Sequence, residues 1–260
     1  MSPVKLTFLG TGTSHGIPVI ACSCKVCTSR NPRNTRTRSS VLITDENIQI
    51  IIDTGPDLRT QLIREHVTRL DAVLQTHDHA DHLNGIDDLR VFTHEKPMPF
   101  YASQAVIEEI EKRFSYIFVK QFPGGGIPSL SLRVAEPKGF RLGSMDIVPV
   151  PIYHGCKTIL GYRIGSFAYL TDCSGIPDES YTLLNGVKTL IVGALRYRPH
   201  PTHFSIDQAL SLSAKINPEK TYLTHFCHDI DHAVIEKELP AGVYPAYDGL
   251  SIEGTESISL

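Results

Sequence analysis

A short apolar stretch, residues 71–76 "DAVLQT", runs straight into His77-Asp78-His79-Ala80-Asp81-His82. Three imidazoles and two carboxylates in six residues are costly to bury unless each has a partner. A strand that ends this way must deliver its side chains either to solvent or to a common ligand. The same event recurs along the chain: 145–153 "MDIVPVPIY" leads into His154, 161–171 "GYRIGSFAYLT" into Asp172, and 220–224 "KTYLT" into His225. Four separate strand-like runs that each stop at His or Asp are hard to attribute to chance. Neutral imidazole nitrogen and carboxylate oxygen both ligate zinc or manganese, so the pattern points to a metal cluster rather than a histidine-rich surface loop. Alternate residues of an extended stretch share a face, which predicts that His77, His79 and Asp81 converge and that His82 enters from the following turn.

Further β-branched runs at 4–9, 40–44, 48–54 and 188–192 read as strands. Helical patterns occupy 56–66, opened by Pro56, then 103–114 and 205–216, each opened by a serine, and 230–239. With no internal repeat and no linker, the expectation is one layered α/β domain over 1–260. A hydrophobic content of 41% and a charged content of 20% suit a soluble chain with a sizeable core. No apolar run approaches the roughly 20 residues of a membrane span. The first residues lack the apolar core of a secretory signal, so a cytoplasmic protein is expected. A net charge of −3 argues against nucleic-acid binding driven by overall charge.

His77, His79, Asp81 and His82 match the H-x-H-x-D-H signature of the metallo-β-lactamase fold, and His154, Asp172 and His225 follow in that family's order. The chain resembles this family over nearly its whole length. The resemblance implies a four-layer αββα sandwich with two divalent metals, Zn or Mn, in a cleft at one edge. It places metal one on His77, His79 and His154, metal two on Asp81, His82 and His225, and Asp172 between them. Asp53 in "IIDTGPD" would orient ligands from behind. Metals in such a site lower the pKa of a shared water to about 7 and supply hydroxide at neutral pH, which suits attack on a phosphodiester.

Residues 21–28, "ACSCKVCT", hold Cys22, Cys24 and Cys27 at C-x-C-x-x-C spacing. A closed zinc site normally has four protein ligands. His228, three residues after His225, and Cys227 are the rival fourth ligands. A redox role for Cys24 and Cys27 fits poorly in a loop bordered by glycine and proline. The early C-x-C-x-x-C together with H-x-x-H near the end is similar to the PhnP-type phosphodiesterases. Those enzymes open 5-phosphoribosyl 1,2-cyclic phosphate and carry a structural zinc of Cys₃His type, so the resemblance selects His228. Cys156 and Cys173, beside His154 and Asp172, are expected to be buried packing residues of the site floor.

A departing alkoxide needs a proton, and "RYRPHPTHFS" offers His200 and His203. Resemblance to the phosphodiesterase branches favours His203 as the acid, so the catalytic set is His203, His200 and the metal-bound Asp81. The run 30–38 "RNPRNTRTR" carries four arginines and no acid. It reads as a solvated loop by default, or as a partial phosphate pocket if the knuckle holds it beside the cleft. Arg38, Arg90 and Arg196 are the substrate-binding candidates, with Arg198 near the last, and "FPGGGIP" at 122–128 has the glycine content of a lid or a plain turn.

The function expected is hydrolysis of a small cyclic phosphate ester. The rivals are other hydrolases of the same fold, namely a tRNA 3′-processing nuclease, a thioesterase or a lactonase, and a non-catalytic PqqB-like protein of cofactor biosynthesis. No long basic arm for tRNA is present, and every ligand position is filled. The partners expected are a phosphate-ester substrate and at most a second copy in a homodimer, with neither membrane nor nucleic acid.

Overall fold

The computed structural model describes residues 4–119 and 126–254. Strands β1 (Val4–Gly10), β2 (Ser40–Thr44), β3 (Gln49–Ile52), β4 (Ala72–Leu74), β5 (Met98–Ala102) and β6 (Leu130–Val134) belong to one sheet. Strands β7 (Phe140–Leu142), β8 (Met145–His154), β9 (Lys157–Ile164), β10 (Phe167–Leu170), β11 (Thr189–Gly193), β12 (Lys220–Thr224) and β13 (Val243–Pro245) form the other. The last strand, β14 (Ser251–Gly254), returns to the first sheet and pairs antiparallel with β1. The orders are β14-β1-β2-β3-β4-β5-β6 and β13-β12-β11-β10-β9-β8-β7. Each sheet has a parallel half, β3 to β6 in one and β10 to β13 in the other.

The period of two explains why the central strands are apolar without interruption. In β3, Ile50 and Ile52 face the second sheet, while Ile51 faces outward to the helices. In β11, Ile191 faces the first sheet, while Leu190 and Val192 face outward. A strand covered on both sides gains from burying every residue. The outer face of the first sheet is covered by α1 (Leu58–Arg64), through Leu58 and Leu62, followed in the chain by the short α2 (Ala80–Leu83). Helix α3 (Gln104–Arg113) adds Val106, Ile107 and Ile110 to the same layer and is followed by the short α4 (Ser115–Phe118). The second sheet is covered by α5 (Asp178–Leu183), α6 (Ile206–Ile216) and α7 (His232–Glu238), with Ile206, Ala209, Leu212 and Ile235 buried against it. The result is the four-layer αββα sandwich.

Helix ends follow the cap rules. The Ser205 hydroxyl accepts from Gln208 N–H at 3.3 Å while the Gln208 side chain accepts from Ser205 N–H at 2.9 Å, a capping box worth about 1 kcal/mol that also fixes where residues 200–204 enter α6. Asn217 ends α6 in the left-handed region.

Two expectations need correcting. The run 161–171 is not one strand: β9 ends at Ile164, Gly165 turns with φ +53°, and β10 starts at Phe167. Strands β5, β6, β7, β13 and β14, and helix α5, lie outside the expected elements. Most are short edge pieces, and β5 is "MPFYA", where proline masks the strand signal. The glycine-rich stretch 122–128 falls partly on residues 122–125, outside the described residues. No helix among the described residues is long and apolar enough to cross a membrane.

Ligand-bearing residues cluster beyond the carboxyl ends of the parallel strands, the usual ligand edge of such sheets. Strands β3, β10 and β12 are left through a non-glycine residue at positive φ: Asp53 (+67°), Asp172 (+54° after Thr171) and His225 (+61°). These positions are strained for side-chain-bearing residues and are held by the surrounding packing.

Candidate metal centre

Two groups of side chains converge at this edge. His77, His79, His154 and Asp172 form one, and Asp81, His82, Asp172 and His225 form the other, with the ligand atoms of each group within 4.8 Å of one another. Asp172 belongs to both. Its Oδ2 lies 3.8 Å from His77 Nε2, while its Oδ1 lies 3.0 Å from His225 Nε2 and 3.3 Å from His82 Nε2. The simple extended reading, with His77, His79 and Asp81 on one point, is corrected here. The chain turns into α2 at Ala80, so Asp81 swings to the second group, 3.3 Å from His82 Nε2 and 3.9 Å from His225 Nε2.

The partners behind the rings decide which nitrogen faces the cluster. The Thr76 hydroxyl donates to Asp53 at 2.9 Å, so it accepts from His77 Nδ1–H, also at 2.9 Å. His82 Nδ1–H donates to Asp53 Oδ2 at 2.7 Å, and His154 Nδ1–H to the Thr202 carbonyl at 2.8 Å. Each ring thereby presents the Nε2 lone pair inward, the arrangement that orients metal ligands. His77, His82 and His225 Nε2 are buried with no hydrogen-bond partner. Asp53 takes the supporting position read from "IIDTGPD". Thr76, Thr202 and Gln75, whose amide donates to the His77 and His82 carbonyls, escaped the sequence reading. The signal was present in "LQTH", two polar residues ending an apolar strand.

Charge points the same way. Burial alone would strip a proton from His82, but Asp172, Asp53 and Asp81 around it push its pKa up. Burial would likewise raise Asp172 and Asp81, yet His225 and His82 beside Asp172, and His82 and His225 beside Asp81, hold both below the usual carboxylate range. Three carboxylates focused on one buried ring demand positive charge where the lone pairs meet. This donor set fits divalent metals.

His203 stacks on His225 with centroids 5.0 Å apart and meets His154 edge-on at 4.7 Å, its Nδ1 3.8 Å from Asp172 Oδ2. His200 lies one ring further out, 5.2 Å from His203. Burial, with His225 beside it, pushes the His203 ring down to about 3.

A third group joins Cys22, Cys24, Cys27 and His228. The three sulfurs lie 3.2, 3.6 and 3.5 Å from His228 Nδ1. The N-terminal loop reaches this place by extending the second sheet: Phe226 N–H donates to the Thr11 carbonyl and Thr13 N–H to the Phe226 carbonyl, both at 3.0 Å. A hydrogen bond from Cys27 N–H lowers the Cys24 thiol to about 6, while burial raises Cys27 to about 11. Cys227 is not in the group; its sulfur accepts from Asp229 N–H. Cys173 is buried as expected, but Cys156 is exposed, because it sits on the β8–β9 turn.

Three of the four arginines in the run are held by the fold and do not line the cavity at the cluster, while Arg30 is exposed. Arg36 is fully buried, donating to Thr11 Oγ1, the Ala246 carbonyl and His232 Nδ1 at 2.8, 2.7 and 3.1 Å, and burial lowers its pKa to about 10. Arg33 stacks over Tyr247 and pairs with Glu236. Arg38 is held by Asp57 at 3.0 Å and by the Ser14 carbonyl, and Arg90 pairs with Asp87 beside a separate cavity near α1. Of the three substrate-binding candidates only Arg196 lines the cavity that contains His203.

A model of the beta-lactamase superfamily domain matches residues 49–226. A crystal structure of a new diphosphatase from the PhnP family is 38% identical, with a TM-score of 0.92 over 99% of this chain and 100% of that one. The octanoyltransferase of Porphyromonas gingivalis is 39% identical over 254 residues, 95% of this chain but 51% of that protein, so the chain spans about half the length of this relative. Zinc-bound PqqB from Methylobacterium extorquens shares the fold, at 16% identity and a TM-score of 0.77 over 95% of this chain and 99% of that one.

Proposed function

The chain belongs to the beta-lactamase superfamily, in its PhnP branch, and from that premise we propose that it is a metal-dependent phosphodiesterase acting on a small cyclic phosphate ester. The type substrate is 5-phosphoribosyl 1,2-cyclic phosphate. The observation that carries this reading is the sharing of Asp172 between two four-residue groups, with His203 stacked directly over them. Two zinc or manganese ions, when bound there, supply Lewis acidity and a water that is deprotonated near neutral pH. His77, His79 and His154 would hold one, Asp81, His82 and His225 the other, and Asp172 both. The Cys₃His group would hold a structural zinc.

The protein's own groups orient and discriminate. Asp53, Thr76 and the Thr202 carbonyl hold Nδ1 of each ring from behind and so fix which nitrogen faces the cleft, which keeps it pre-organised. His203 faces the cleft as the proton donor to the departing oxygen. Burial favours its neutral ring, and an anionic phosphodiester beside it favours the protonated form that the acid role requires. A second reading, cleavage of a phosphoanhydride, is favoured by the 38% identical structure, which is a diphosphatase. Both are displacements at phosphorus and use the same groups.

The test is one assay panel on zinc- and manganese-loaded protein. It compares bis(p-nitrophenyl) phosphate, cyclic nucleotides, ribosyl 1,2-cyclic phosphates, a sugar nucleotide diphosphate, a lactone and a thioester. Turnover of the cyclic ester is expected. Preference for the diphosphate would install the second reading, and activity confined to the lactone or the thioester would overturn both.

A further inference from the structure

A cavity of about 370 Å³ opens between His203 at the metal centre and His228 of the Cys₃His group. Its walls carry Arg196, Arg198, His15 and His200 against a single acid, Asp229. Arg196 is already fixed: its Nε donates to the Arg198 carbonyl at 3.2 Å and its Nη2 to the Pro199 carbonyl at 3.0 Å. Two of the five guanidinium hydrogens are thus used on backbone, which leaves the rest in a set pose for an anion. His200 accepts at Nδ1 from Thr202 N–H and its hydroxyl, so its one ring proton sits on Nε2. Arg198, by contrast, is exposed and held only by a 3.4 Å pair with Asp229. Such a pair contributes little and is easily exchanged for a better anion.

We propose that this cavity reads a second anionic group of the substrate, and that Arg196 is the specificity-determining residue for it. This rests on the scissile phosphate lying at the metal centre. The cavity then selects substrates with a further phosphate, whether a phosphorylated cyclic ester or a diphosphate, over diesters with only one anionic centre. Thr13, Ser14 and His228 also line this cavity, so the cysteine group shapes the pocket as well as tying down the loop.

The experiment measures KM for wild type, Arg196→Ala and Arg196→Lys on 5-phosphoribosyl 1,2-cyclic phosphate and on bis(p-nitrophenyl) phosphate. Loss of one charge-assisted phosphate contact should change the ratio of the two KM values by roughly ten- to a hundred-fold in Arg196→Ala, with partial recovery in Arg196→Lys. An equal change on both substrates would mean that Arg196 only braces residues 198–199, and the proposal falls. If the wild type turns over neither, the phosphodiesterase reading fails on its own. Calorimetric binding of ribose 5-phosphate then decides the pocket: binding lost in Arg196→Ala supports it, and equal binding overturns it.

Discussion

His82 Nδ1 lies 2.7 Å from Asp53 Oδ2, and both side chains are completely buried. Asp53 is 29 residues upstream, just past the end of β3, and among the described residues hydrogen-bonds to no other ring of the cluster, yet it sets which His82 nitrogen faces the second group. Asp53→Asn keeps the shape but replaces a charged acceptor with an amide of either orientation. The expected outcome is a loss of roughly 10- to 100-fold in metal affinity at the second group, with the first group still loaded. Metal titration followed by elemental analysis checks this; unchanged stoichiometry and affinity would remove Asp53 from the site.

Cys22→Ser removes one sulfur from the Cys₃His group, 3.2 Å from His228 Nδ1. One metal per chain should be lost while the cluster ligands stay in place. Because His228 and the 13–19 loop wall the cavity beside His203, KM should rise more than kcat falls. Full metal content and an unchanged KM would show that the loop holds its position unaided.

His203→Ala should leave metal content intact and lower kcat on a cyclic alkyl ester by about 10²–10⁴-fold, the usual range for a general acid. The loss should be much smaller on bis(p-nitrophenyl) phosphate, whose leaving group departs without a proton. Equal losses on both substrates would assign His203 to packing against His154 and His225.

His232 gives a pH dependence far from the catalytic groups. Its Nδ1 accepts from the buried Arg36 guanidinium, since an arginine can only donate, and Arg33 and Glu236 also face the ring. Burial first, then Arg36 and Arg33, lowers its pKa to about 4 from 6.5, with Asp231 opposing. The unfolded chain therefore binds a proton that the native ring refuses between those values. The stability from His232 is complete above pH 6.5 and is lost as pH falls from there through 4, about 2 kcal/mol by pH 5. Urea midpoints at pH 7.5 and pH 5 should differ less in His232→Asn than in wild type. Identical pH sensitivity would show that the native ring takes up its proton as readily as the unfolded one.

Much of the centre was legible because metal chemistry restricts it to a few residue types. His77, His79, Asp81, His82, His154, Asp172 and His225 each stand where an apolar run stops, and the shared direction of the parallel strands carries most of those ends to one edge. Helix positions were readable from their caps at Ser103 and Ser205. The strand pieces at 130–134 and 140–142 were not, since short edge strands owe their pairing to neighbours rather than to their own pattern, and the inner strand at 98–102 was hidden by its proline.

Charge runs were the least legible. The sequence of 30–38 shows four arginines without an acid, but not that Asp57, Glu236 and Asp248 come to meet them from elsewhere in the chain. Arg36 lies fully buried because Thr11, Ala246 and His232, up to 210 residues away, accept from its two terminal nitrogens, while its Nε has no partner among the described residues. The roles of Thr76 and Thr202 likewise depend on which ring nitrogen each one touches. Which residue types can ligate a metal is local and chemical, so the sequence alone determined the candidate set. Which side chain stands behind each ligand, and whether a cation faces solvent or the interior, is a matter of hydrogen bonds across long sequence separations, and only the packed structure decided it.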